Sequence, residues 1–153
     1  MLVVAWSRSG HRRRCVFEAA GATGCRKSLV DRPVDWRTDV DASLAEARTQ
    51  HRPVLLFFRA SWGHGRHLDN GAFADPEVRE LLARKFVSVR IDISDDDEPE
   101  TVAVTRRFKI VGEPTILILG SDGTNELARI TMVIAPDALA AKLRAASAPS
   151  PTP

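Results

Sequence analysis

Cysteine is almost missing from this chain. Of 153 residues only Cys15 and Cys25 carry a thiol, and everything after residue 25 is free of sulfhydryl groups. Thiol chemistry, a thiolate zinc site and an iron–sulfur cluster are thereby excluded from the main part of the chain. Long apolar runs are missing too. No stretch reaches the roughly 18 apolar residues of a membrane-spanning helix. Charge is nearly balanced, at +2 overall, and unevenly spread. Residues 1–36 carry seven Lys/Arg against three Asp/Glu, and residues 37–153 carry 15 against 17. The basic excess therefore lies in the leader, and a basic nucleic-acid-binding face on the main domain is not expected. No internal repeat is present. What remains is an ordinary globular composition, 44% hydrophobic and 27% charged, at a length that suits one domain.

The leader, residues 1–33, has no sustained period. Three readings stay open for it: a disordered or mis-started N-terminus, a degenerate lipoprotein signal, and a transit peptide. In the second, Arg12-Arg13-Arg14 is the basic region, Val16–Ala22 the apolar stretch and Ala22-Thr23-Gly24-Cys25 a lipobox-like end carrying a lipid anchor at Cys25. Glu18 and the short apolar length oppose efficient export. A lipid-modified Cys25 places the protein in the cell envelope; an intact Met1 leaves it in the cytoplasm.

From Val34 the pattern is regular. Asp41 is a candidate cap for a helix to about Gln50. Pro53 opens Val54-Leu55-Leu56-Phe57-Phe58, a run of strand length suited to burial on both faces. Asp75-Pro76-Glu77 reads as N-cap, N1 proline and first-turn acid, followed by a helix carrying Val78, Leu81 and Leu82. Val87, Val89, Ile91 and Ile93 alternate as a strand. The acids Asp95–Glu98 precede a helix start at Pro99 and read as a solvated cap, with a calcium site as the alternative. Strands follow at Thr115–Leu119 and near Glu126–Val133, joined by a turn at Ser121-Asp122-Gly123. Pro136-Asp137 open a last helix, and Ser147–Pro153, with three prolines, forms a tail expected to be disordered. The main domain is thus residues 34–146. A βαβ half followed by a ββα half predicts an α/β fold: a central mixed sheet with helices on both faces.

This order, with particular residues, resembles the thioredoxin superfamily, and among its branches the bacterial domains at the C-terminal end of DsbD-type thiol:disulfide interchange proteins. The matching residues are Trp36, Ala45-Glu46-Ala47, Arg52-Pro53-Val54-Leu55, Ala60-Ser61-Trp62, Phe73-Ala74-Asp75-Pro76-Glu77-Val78, Val111-Gly112-Glu113-Pro114-Thr115 and Asp122-Gly123, spread over about residues 34–146. The resemblance implies a thioredoxin fold and a bacterial, cell-envelope protein. It also implies a cis bond before Pro114, with Glu113, Pro114 and Thr115 beside the active-site loop; an ordinary trans-proline at a strand start is the alternative.

The sequence departs from that family at the residues that carry its chemistry. After the tryptophan the family has Cys-x-x-Cys; this chain has Gly63-His64-Gly65-Arg66-His67-Leu68-Asp69. Matching Arg66, Leu68 and Asp69 to the family's following lysine, apolar residue and acid puts Gly63 and Gly65 at the cysteine positions, with the loop one residue short. A later gap puts Arg66 at the second. The family's buried proton-relaying acid falls on Phe57. Thiol–disulfide exchange requires an attacking thiolate and a resolving thiol, so no catalytic residue is assigned.

The expectation is a redox-inactive thioredoxin-fold protein. It would bind an extended protein segment non-covalently through Trp62–His67 and the Pro114 turn, without cofactor, metal or nucleic acid. One alternative is thiol:disulfide interchange. Another is an anion site, with the N–H groups at the helix start left uncovered by Gly63 and Gly65 and flanked by His64, Arg66 and His67. A metal on His64 and His67 is a weaker idea, since two ligands make no site. His11 and His51 read as ordinary leader and surface histidines. Trp36 reads as core, and Trp62 as a packing residue of the loop.

Overall fold

The structure, a computed structural model, describes residues 32–148. Cys15, Cys25, the leader assignments before residue 32 and the tail beyond residue 148 lie outside those residues. Helix α1 spans Val40–Gln50, strand β1 Val54–Arg59, helix α2 Gly65–Asn70, helix α3 Pro76–Lys85 and strand β2 Val87–Asp92. Helix α4 spans Pro99–Arg107, strand β3 Thr115–Leu119, strand β4 Glu126–Ile130 and helix α5 Pro136–Ser147. A short 3-10 turn at Ala72–Ala74 links α2 to α3.

The sheet order is β2-β1-β3-β4. β1 pairs parallel with β2 and antiparallel with β3, and β3 pairs antiparallel with β4. This is the mixed sheet that the βαβ–ββα order predicts. Alternation along the strands divides the core in two. Leu55, Phe57, Ile116 and Ile118 face α2, α3 and α5, meeting Leu68, Val78, Leu82, Leu139 and Leu143. Val54, Leu56, Phe58, Val87, Val89, Leu117 and Leu119 face the other side, meeting Leu44 and Ala47 of α1 and Phe108 after α4. Every residue from Val54 to Phe58 is fully buried, which is why that stretch reads as continuous rather than alternating. Each such leucine or phenylalanine contributes about 1.5–3 kcal/mol by leaving water.

Local signals act where they were read, with adjustments. Asp75 caps α3, accepting N–H bonds from Glu77 and Val78 at 2.9 and 3.1 Å. The cap of α1 is Asp39, which accepts the Ala42 N–H at 2.9 Å; Asp41 lies inside the first turn and pairs with Arg107 at 2.7 Å. An N-cap needs extended backbone, and Asp39 has it (φ −85°, ψ 112°). The acids before α4 make no side-chain cap at Glu98, and among the described residues no three metal-binding side chains converge. β4 ends at Ile130; Met132 and Val133 lie past its last pairing with β3 and are exposed. α5 runs through Ser147, one residue into the expected tail. Asp122 accepts N–H bonds from Asn125 and Thr124, which hold its carboxyl below the ordinary range. Gly123, at φ +73°, completes that turn. Among the described residues no helix is long and apolar enough to cross a membrane.

Candidate functional site

Helix α2 starts where β1 ends, after the turn Ala60–His64. Gly65 is buried there, and a Cβ on it would lie 2.8 Å from the Arg59 Cβ and 3.5 Å from the Phe57 ring. Only a residue without a side chain lets the helix begin so close to the strand. Phe57 fills the space beneath. It is fully buried, with ring centroids 4.8 Å from Phe73 and 5.8 Å from Trp36, and Trp36 meets Phe73 edge-on at 5.0 Å. The position that the resemblance assigns to a proton-relaying acid is thus one corner of an aromatic cluster. Trp36 joins the core as expected.

The loop and the proline turn come together as the resemblance implied. The Glu113–Pro114 bond is cis, Pro114 is buried, and the Thr115 hydroxyl donates to the Gly112 carbonyl at 2.7 Å. Glu113 then does something the sequence reading did not foresee. Its carboxylate accepts the His64 N–H at 3.0 Å and the Gly65 N–H at 3.2 Å. The side chain is only 6% exposed, and His64 Nδ1 stands 3.9 Å from Oε1. A Cβ at Gly63 would fall 1.7 Å from that oxygen. The helix start is therefore capped from within by an anion of the chain itself, which satisfies its orphan donors and complements its dipole. This corrects the anion-site alternative, in which those N–H groups stood uncovered. The contact joins residues 48 and 49 positions apart, so no local pattern announces it. The usable signal was an acid immediately before Pro114, at a place the resemblance sets beside a positive helix start.

Trp62 is also corrected. Its indole N–H donates to the Ser94 carbonyl at 3.3 Å, and the neighbouring Ser61 N–H donates to Ser94 Oγ at 2.7 Å. The ring itself is 73% exposed rather than packed, because the loop is tied at its polar edge and no element among the described residues covers its face. Val111, two residues before Glu113, is 93% exposed. The two apolar side chains thus flank the Gly63–Glu113 contact on the two chain segments that make it. Among the described residues the N–H groups of Val111, Gly112 and Glu113 have no hydrogen-bond partner. His64, Arg66 and His67 are exposed, and the two imidazoles stack with centroids 6.1 Å apart without a third metal-binding group.

Two arginines of this region escaped the sequence reading. Asp69 of α2 sits between Arg59 of β1, at 3.1 Å, and Arg90 of β2, at 2.6 Å. Arg90 in turn lies 4.7 Å above the Trp36 ring. β2 pairs Arg90 with Phe57, so the arginine stands on the aromatic face of the sheet, opposite to Val89 and Ile91. The alternation of β2 held that signal, since it sends Ser88 and Arg90 to the face that Val87 and Val89 leave.

Comparison with known proteins agrees with this geometry. Residues 35–121 match the thioredoxin-like family. The chain is 27% identical over 129 residues to the thiol:disulfide interchange protein DsbD of Ralstonia nicotianae, covering 84% of this chain and 21% of that protein. It is 31% identical over 123 residues to DsbD 1 of Pseudomonas aeruginosa, covering 75% of this chain and 20% of that one. Among solved structures, the oxidoreductase DsbH superposes with a TM-score of 0.66 at 17% identity, covering 84% of this chain and 94% of that one. The chain belongs to the thioredoxin-like family. Its fold is that of thioredoxin, and its sequence is related to DsbD. It spans about a fifth of the length of those two relatives.

Proposed function

We propose that this chain is a redox-inactive thioredoxin-fold protein that binds an extended segment of a partner protein without covalent chemistry. The surface it uses is the loop Trp62–His67 and the turn Glu113–Thr115. The observation that carries this reading is the Glu113 carboxylate on the His64 and Gly65 N–H groups. A family thiolate draws its low pKa from those same helix-start donors; here a fixed carboxylate takes them, and the described residues contain no thiol. The exposed Trp62 and Val111 supply apolar contact area on either side. The unpartnered N–H groups before Pro114 suit backbone pairing with an extended chain, the mode by which peptides add to open backbone edges.

The test has two arms. In an insulin-reduction assay with dithiothreitol, the Cys15→Ser/Cys25→Ser double variant gives the same turbidity onset as dithiothreitol alone. Peptides selected for binding to the wild-type chain lose at least about tenfold in affinity, or 1.4 kcal/mol, when Trp62 is replaced by alanine. Reductase turnover by the cysteine-free variant overturns the redox-inactive reading. Selected peptides that bind wild type and Trp62→Ala equally overturn the surface.

A further inference from the structure

A cleft of about 360 Å³ opens beside the aromatic cluster, on the far end of α2 from Gly63. Val34 and Trp36 form one wall, Phe73 another, and Asp69, Arg79 and Arg90 bring charge to it. None of these residues belongs to the loop or the proline turn. The volume falls in the range of small-molecule pockets.

Its charge is unbalanced. Asp69 is engaged at both oxygens, by Arg59 and by Arg90. Arg79 has no acidic partner among the described residues. Its Nε donates to the Phe73 carbonyl at 3.1 Å, which anchors the guanidinium at the cleft. Two arginines, Arg79 and Arg90, thus line the cleft beside one carboxylate that Arg59 and Arg90 already hold. A guanidinium fork recognises a carboxylate by paired N–H···O bonds, and it does so best where the surroundings are partly dry. The half-buried side chains of Val34 and Trp36 provide the apolar surface next to that charge.

We propose that this cleft is a binding site for a small organic carboxylate with an apolar or aromatic body. The carboxylate pairs with Arg79 and Arg90, and the body rests against Val34 and the open edge of Trp36. The site stands independently of the partner surface proposed above, and either can fail without the other.

The experiment titrates the full chain with sodium benzoate, with benzyl alcohol and sodium acetate as parallel arms, and follows the tryptophan indole N–H signals by NMR. The Trp36 signal is assigned with the Trp36→Phe variant. Benzoate shifts the Trp36 signal saturably, and both other compounds bind at least about tenfold more weakly. Arg79→Gln weakens benzoate by at least about tenfold, and Arg79→Lys, which keeps the charge but not the fork, weakens it less. The proposal is overturned by the absence of a saturable shift up to about 10 mM benzoate. It is equally overturned by an equal response to benzyl alcohol, by shifts confined to Trp62, or by unaltered benzoate affinity in Arg79→Gln. If Arg79→Gln does not fold, the Lys variant decides: unchanged affinity there overturns the paired geometry.

Discussion

Glu113 and Gly63 are tied to one another more closely than any pair that the chain order suggests. The carboxylate occupies the volume that any side chain at position 63 would need, 1.7 Å from where its Cβ would stand. It also satisfies two donors that would otherwise be orphaned at the start of α2. Gly63→Ala therefore has to push Glu113 off the helix start, whereas Glu113→Ala simply leaves it bare. Each single change is expected to cost about 0.5–2 kcal/mol, the range for losing a cap at a helix N-terminus. The double variant is expected to cost clearly less than the sum of the two, since alanine at 63 meets no obstacle once Glu113 is gone. Urea unfolding of the four chains measures this coupling, and additive costs would remove the link between the two residues. The same clash bears on any attempt to restore cysteines here. A sulfur at position 63 competes with Glu113 for one space, so regained thiol reactivity requires Glu113 to be shortened as well.

At the scale of elements, ion pairs attach pieces that apolar packing alone would leave loosely joined. Asp69 clamps α2 to two strands through Arg59 and Arg90, and a helix of only six residues has little else besides Leu68 to hold it. The segment before α1 is held in a comparable way. Arg37 donates to Glu46 twice, at 2.6 and 2.7 Å, while its backbone joins β2 through the bonds Arg37 N–H to Ser88 and Arg90 N–H to Arg37. The guanidinium hydrogen bonds hold the Glu46 carboxyl below its ordinary range. A carboxylate whose pKa is lower folded than unfolded stabilises the fold fully above the ordinary glutamate range, roughly pH 4–4.5, and loses that contribution as pH falls through the folded value. Both side chains are about 30% exposed, so the contribution stays under about 1 kcal/mol. Glu46→Gln is expected to lower stability slightly at pH 7 and hardly at all at pH 3. Thermal melts of both chains across that interval check the sign: a difference that grows toward acid would contradict the pairing.

For the molecule as a whole, the two faces of one sheet carry two apolar clusters, whose members among the described residues run from Val34 to Ala146. We therefore expect a chain trimmed to residues 32–148 to melt within a few degrees of the full chain. A stability loss of more than about 2 kcal/mol, a large share of what a typical domain has, would show that the removed ends pack on the core. The relatives make this the natural unit to examine, since the matched region is likewise a fraction of each longer DsbD protein.

The residues by themselves determined the order of elements, the buried central strand Val54–Phe58, the cap at Asp75 and the absence of sulfur from the loop. These are local properties: periodicity, turn residues and composition act over a few positions, and they read the same in any context. The resemblance added the cis bond before Pro114 and the meeting of that turn with the loop. Only the tertiary structure decided what lies at the helix start. Glu113 reaches Gly65 across 48 positions, Arg90 crosses from β2 to Asp69, and Trp62 stays exposed because none of the described residues folds over it. Electrostatic pairing acts through space rather than along the chain, so the charges that complete this site could be placed only after the sheet had brought their carriers together.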